Sequence, residues 1–229
     1  MKIRLQNVTR EYQLDGLTTI TPVRDITLDI SPGEFIIIIG RSGSGKTTLL
    51  NLAAGLVKPT SGKVLVDGIE INAMTEDQIS ALRSQKIGFI FQFPSLLPSL
   101  TIGENTIVPT VFGAKQNKRE ILDRVSLLLK TVGLAERKWV YPKQLSAGEQ
   151  KRAVIARSLI NRPEIILADE PTSDLDEQTE QEIMALLREI HQTGVTFMMV
   201  THSLELIPYA TRAFKMEDSS LHPLEKTPL

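Results

Sequence analysis

The chain has 229 residues, of which 41% are hydrophobic, with a formal net charge of −1 and a pI near 6.3. This is ample apolar material for a buried core, and the absence of cysteine excludes disulfides and thiolate metal sites. The balanced charge offers no bulk attraction to nucleic acid or anionic lipid, and the longest aliphatic run is far short of the roughly 20 residues a spanning helix requires.

Met1-Lys2-Ile3-Arg4-Leu5-Gln6-Asn7 alternates polar and apolar residues and lacks the apolar core of a signal peptide, so cytoplasmic residence is expected. Ile3, Leu5 and Val8 mark one strand, and Ile26, Leu28 and Ile30 another around a turn. The apolar run Phe35-Ile36-Ile37-Ile38-Ile39 then leads into Gly40-Arg41-Ser42-Gly43-Ser44-Gly45-Lys46-Thr47 and a helix beginning at Thr48. Strand, Gly-rich loop and helix together are the setting of a phosphate-binding loop. Its glycines let the backbone wrap a polyphosphate with N–H groups pointing inward, and the helix N-terminus adds partial positive charge. Lys46 supplies a mobile charge for the β- and γ-phosphates, and Thr47 offers a hard oxygen to Mg²⁺. A nucleoside triphosphate is the expected ligand.

Beyond the loop, Pro59-Thr60-Ser61-Gly62 reads as a turn, Lys63 to Val66 as a short strand, Thr75 to Ser84 as a helix and Ile87 to Phe91 as a strand. From about 93 to 160 the pattern is helical, with Ile121, Leu122, Val125, Leu128, Leu129 and Val132 along one face. These residues are expected to form a helical lobe within a single domain, 1–92 and 161–229 making up the remainder. Strands return at Ile165 to Ala168 and Val195 to Val200, separated by a helix from Glu177 to His191. Apolar strands alternating with helices predict a mostly parallel sheet with ligands beyond the carboxyl ends of its strands.

The Ile165 strand ends in Asp169-Glu170, which fits an Asp supporting a metal, through a bound water, and a Glu orienting and deprotonating the attacking water. An acidic strand-end turn is the plainer alternative. Leu145-Ser146-Ala147-Gly148-Glu149-Gln150 opens another helical run. Ser146 with Glu149 is a capping box, and the same serine, Gly148 and free N–H groups make an anion site. Residue types alone leave both readings open.

Taken together, these segments resemble the nucleotide-binding subunit of ATP-binding cassette (ABC) transporters, over nearly the whole chain. LSAGEQ is similar to the family's LSGGQ signature, Phe91-Gln92 to its Q-loop, Ser173-Asp174-Leu175-Asp176 to its D-loop and His202 to its switch histidine. FQFPSLLPSLTIGEN, VGLAER and LADEPTSDLD look most like the lipoprotein-releasing and macrolide-export branch. The resemblance implies an α/β fold of the ABC-type P-loop NTPases, with a mostly parallel sheet core, an N-terminal antiparallel β subdomain and an inserted helical subdomain. It implies ATP hydrolysis with Mg²⁺ by a head-to-tail homodimer, each ATP lying between one subunit's phosphate loop, Gly40 to Thr48, and the partner's Ser146, Gly148 and Glu149. Tyr12 would stack on adenine, with a tyrosine packed at a strand edge as the alternative. Gln92 would contact Mg²⁺ and the attacking water, alongside Thr47 and Asp169 at the metal. Glu170 and His202 would act in catalysis with Lys46, and Ser173 to Asp176 would cross the interface.

A membrane permease is the implied partner, docking near Gln92 to Leu100 and holding the subunit at the cytoplasmic face, with export favoured over import; packing of Phe93 to Leu100 under the helical lobe is the alternative for that apolar stretch. A soluble ABC ATPase acting on DNA or ribosomes is the competing class, but the chain has no heptad tract, no cysteine and one phosphate loop; no nucleic-acid partner is expected. An ATP sensor without turnover is disfavoured by Glu170 and His202 both being present. Departures from the family pattern are Ala147 for the first signature glycine, Lys151 for a glutamine and Asp174 for a small D-loop residue. Glu217-Asp218-Ser219-Ser220 replaces the usual Asp-Gly turn, leaving the last strand without its customary signal.

Overall fold

The computed structural model describes residues 1–14, 18–112 and 117–224. Strands β1 (Ile3–Leu14) and β2 (Thr18–Ile30) run antiparallel, with Leu5 opposite Leu28 and Tyr12 opposite Ile20. Their connection, 15–17, on which the expected turn falls, lies outside the described residues. Inward-facing Ile3 and Leu5 are followed by Val8 rather than residue 7, because Asn7 adopts φ 48° and the register shifts between Leu5 and Val8. A bulge thus moves the buried side from odd to even positions.

The chain continues through β3 (Phe35–Ile39), α1 (Lys46–Ala53), β4 (Ser61–Val66), β5 (Ile69–Glu70), α2 (Glu76–Lys86), β6 (Ile87–Ile90), α3 (Ile102–Ile107) and α4 (Lys118–Thr131). It closes with α5 (Ala147–Ser158), β7 (Ile165–Asp169), α6 (Glu177–Gln192), β8 (Thr196–Thr201), β9 (Arg212–Glu217) and β10 (Ser220–Leu224). These elements form two compact units, Met1–Ile79 with Gly194–Leu229, and Ser80–Thr193.

In the first unit, an antiparallel sheet has the order β2-β1-β4-β5, and a second group has the order β10-β9-β3-β8. β3 is parallel to both β8 and β9, and β10 is antiparallel to β9. Every residue of β3 and β8 is buried, as expected of central parallel strands. Phe35 and Phe197 meet with ring centroids 4.8 Å apart; burying an aromatic or branched side chain of this size contributes about 1.5–3 kcal/mol. The β9–β10 hairpin forms without glycine. Asp218 and Ser219 make a two-residue turn at φ 49° and 64°, and the Arg24 N–H donates to the Ser219 carbonyl at 2.9 Å. Positive φ at both positions is the requirement of a type I′ turn.

In the second unit, β6 and β7 pair in parallel from Ile87 opposite Ile165 to Ile90 opposite Ala168. α5 runs close to β6: a Cβ on Gly88 would lie 2.4 Å from the Ser158 carbonyl oxygen. α4 buries Val125, Leu128 and Leu129, and Val132 follows at its C-cap. Leu122, expected on the same face, is 38% exposed. It lies about 70° from the centre of the stripe at 3.6 residues per turn, and so falls at the margin. α6 has a fuller stripe, burying Ile183, Met184, Leu186, Leu187 and Ile190.

Candidate active site

Ile39 lies opposite Thr201 in the parallel β3–β8 pair, so the next residues, Gly40 and His202, emerge side by side at the carboxyl ends of adjacent strands. The phosphate loop and the exposed His202 are therefore brought together by register alone. Within the loop, the buried Lys46 curls back and its Nζ donates to the carbonyls of Gly40 at 2.8 Å and Arg41 at 3.1 Å. Gly43 and Gly45 hold φ 78° and 100°, and a Cβ at Gly45 would lie 2.0 Å from the Pro22 carbonyl oxygen. Arg41, Ser42, Gly43 and Thr47 are exposed, while Gly40, Ser44, Gly45 and Thr48 are half-buried. The Ser44 hydroxyl is buried with no hydrogen-bond partner among the described residues. An orphaned donor inside a loop of this shape suits a phosphate oxygen.

Tyr12, half-buried on β1, has the Arg10 guanidinium 4.4 Å from its ring centroid, a cation–π contact that fixes one face of the ring. The Arg10 Nη1 is anchored on the Lys58 carbonyl at 2.9 Å. Sequence reasoning passed over Arg10, although residues two apart on a strand share a face.

The second unit repeats the register logic. Ile90 opposite Ala168 puts Gln92 and Glu170 each two residues beyond the last paired rung of β6 and β7. Asp169 closes β7 and is buried; Glu170 is buried too, at φ 44°. The Glu170 carbonyl accepts from the Ser173 N–H at 3.2 Å and the Ser173 hydroxyl at 3.0 Å. Asp174 is exposed at φ 63°, Leu175 is half-buried, and Asp176 caps α6 by accepting from the Thr179 N–H at 2.9 Å. That backbone hydrogen bond, with the Thr179 hydroxyl, holds the Asp176 carboxyl below the usual carboxylate range.

Ser146 is the N-cap of α5, in a reciprocal capping box: its hydroxyl accepts from the Glu149 N–H at 3.2 Å and its own N–H donates to Glu149 Oε2 at 2.8 Å. The bond from the Ser146 N–H is the main cause holding the Glu149 carboxyl low, with the Arg137 Nε on Oε1 at 3.1 Å adding to it. The cap reading is thus realised. Gly148 packs closely: a Cβ there would come 2.7 Å from Thr179 Cγ2, so a larger residue would displace that side chain.

Lys151, noted in the sequence only as a departure, is 4% exposed, and its Nζ donates to the main-chain carbonyls of Gln92 and Glu170. Burial pushes its pKa down, against the pull of the Asp174, Glu170 and Asp169 carboxylates. The signal available in the sequence was a lysine at helical spacing from Val154, Ile155 and Ser158, all buried on α5.

The segment after Gln92 is exposed yet tied down. Phe93 is 70% exposed and Leu97 is also open, while Leu96 and Leu100 are half-buried. The Arg157 guanidinium donates to the carbonyls of Ser95 at 2.7 Å and Pro94 at 3.1 Å. Asn105 accepts from the Leu97 N–H at 2.7 Å and donates to the Leu97 and Leu100 carbonyls. Beside this segment, Phe89, Phe91, Ser95, Pro109, Phe112 and Arg157 line a largely apolar cavity of about 360 Å³.

A strand-loop-helix with His202 beside it in the first unit, and an acidic strand end with a serine-capped helix in the second, are the features of an ATP-hydrolysing cassette. The family model described as ABC transporter matches residues 23–173. A Thermotoga maritima protein described as an uncharacterized ABC transporter ATP-binding protein is 41% identical over 227 residues, covering 98% of this chain and 95% of that one. The macrolide export ATP-binding/permease protein MacB of Rhodopirellula baltica is 43% identical over 218 residues, which are 94% of this chain and 32% of that protein. The chain thus spans about a third of the length of the MacB relatives it matches. Among solved structures, the dimeric post-hydrolysis state of the ATP-binding cassette MJ0796 with ADP and Pi superposes with a TM-score of 0.89 at 38% identity, covering 98% of this chain and 100% of that one. The chain belongs to the ABC transporter family and is an ABC ATPase. The expected fold class is met by the antiparallel sheet, the parallel strands and this superposition.

Proposed function

We propose that two copies of this chain close head-to-tail on two Mg-ATP and open after hydrolysis, driving a transmembrane permease of the macrolide-export or lipoprotein-releasing type. The observation that carries this reading is the pair of registers that bring Gly40 beside His202 and Gln92 beside Glu170. The dimeric MJ0796 cassette and the MacB relatives support it. Loop N–H groups from Gly40 to Thr48 and the Lys46 ammonium hold the phosphates, with Tyr12 against the base. The partner's Ser146, Gly148 and Glu149 segment closes over them, carried by a lobe at 93–160, and Ser173 to Asp176 crosses between copies.

The oxygen donors Thr47, Asp169 and Gln92 fit Mg²⁺, which is usually held by one or two protein oxygens together with substrate phosphates and water; Asp169 would act through a water. When bound, the ion neutralises charge on the β- and γ-oxygens. Glu170 accepts a proton from water as that water attacks the γ-phosphorus; the bond to the bridging oxygen breaks, and ADP and phosphate leave. His202 and Lys46 stabilise the charge on the transferred group, and Gln92 orients the water.

Among the described residues no helix is long and apolar enough to cross a membrane. In this reading the permease holds the cassette at the cytoplasmic face. The exposed Phe93 to Leu100 segment and its neighbouring cavity are the docking surface we assign to it. The test is molecular size and phosphate release with Mg-ATP for the native chain and Glu170→Gln. The variant should form an ATP-dependent dimer and lose turnover by about 100-fold or more; turnover close to native would remove Glu170 from the mechanism.

A further inference from the structure

Lys151 lies outside the residues given a role in hydrolysis above, yet it joins two of them. A buried ammonium is costly unless it is hydrogen-bonded and near opposite charge, and Lys151 reaches both the Gln92 carbonyl and, at 3.4 Å, the Glu170 carbonyl, with the Asp169, Glu170 and Asp174 carboxylates nearby. The two carbonyls it holds stand beyond Ile90 and Ala168, where the β6–β7 ladder has ended and strand pairing no longer fixes the backbone. Glu170 also occupies the left-handed region, φ 44°, which a non-glycine residue holds only when its surroundings impose it. The Ser173 N–H and hydroxyl, which also donate to its carbonyl, are local to the turn and cannot set its distance from Gln92. A lysine with three N–H donors on a long stem can span both strand ends from α5.

We propose that Lys151 is a positioning residue for hydrolysis: its ammonium clamps the main chains of Gln92 and Glu170 together, so that the amide and carboxylate they carry keep one relative placement. The inference rests on the assignment of Gln92 and Glu170 to the reaction. It makes Lys151 a determinant of turnover that touches neither nucleotide nor water.

The experiment measures kcat and KM for Mg-ATP, together with thermal unfolding, in the native chain, Lys151→Met, Lys151→Arg and Glu170→Gln. Lys151→Met keeps the length and removes the donors; it should lower kcat by about 10- to 100-fold, the effect of a small misplacement at a reacting centre, while KM stays within about twofold. Lys151→Arg, which can donate to both carbonyls, should recover most of the loss. A Lys151→Met kcat within about twofold of native, beside an inactive Glu170→Gln, overturns the clamp alone. So does a loss that Lys151→Arg leaves unrelieved and that follows the fall in melting temperature. If Glu170→Gln turns over like the native chain, the underlying assignment falls and the clamp falls with it. Should Lys151→Met fail to fold, Lys151→Gln, with two donors on a shorter stem, is judged by the same criteria.

Discussion

At Gly45 two constraints coincide, a φ of 100° and a Pro22 carbonyl oxygen only 2.0 Å from where a Cβ would lie. At Gly43 the φ is 78° and nothing crowds the position. Alanine at either site carries the left-handed penalty of about 1–2 kcal/mol, but only Gly45→Ala must also push the foot of the loop away from β2. We expect Gly45→Ala to weaken ATP binding by about tenfold or more and Gly43→Ala to weaken it less, since N–H groups aimed at phosphate tolerate little displacement; calorimetric titration with ATP decides it, and equal affinities would remove Pro22 from the account. The loop glycines are legible in the sequence because their pattern is local. Arg10 beneath Tyr12 is legible in principle, being two residues away on one strand, whereas the reach of Lys151 to Gln92 depends on how α5 meets the end of β6 and leaves no local trace beyond a charge at an apolar helical position.

At the scale of elements, the β9–β10 hairpin departs from the usual turn chemistry. Ser219 sits at φ 64° where glycine would carry no steric penalty, and the strands pair regardless because Met216 and Phe214 of β9 are buried there. Ser219→Gly should therefore stabilise the chain by up to about 1 kcal/mol, raising the melting temperature by about 2–4 °C for a chain of this size. A lowered melting temperature would mean that the turn is held by something other than φ. Strands such as β3, β7 and β8 are legible in the sequence as unbroken apolar runs, because both of their faces are buried. α4 is less so, since Leu122 satisfies the helical period and still falls outside the stripe.

For the molecule as a whole, the surface following Gln92 links the ATPase to a membrane partner in the proposed function. Leu96→Asp with Leu97→Asp should weaken assembly with a co-expressed permease by about tenfold or more, as loss of apolar anchors at an interface does; an undiminished yield of complex in co-purification would show that the partner binds elsewhere. That the segment is unusually apolar is legible from its leucines and phenylalanine, but which of them remain open is not. Phe93 and Leu97 are exposed while Leu96 and Leu100 are half-buried, a division set by Arg157 and Asn105. Those two side chains hold the segment by its backbone and leave Phe93 and Leu97 open. In the proposed assembly the permease therefore meets a segment whose conformational entropy was already lost when the chain folded, and its capture would be limited by how often it arrives correctly oriented rather than by the time a loop takes to find its shape.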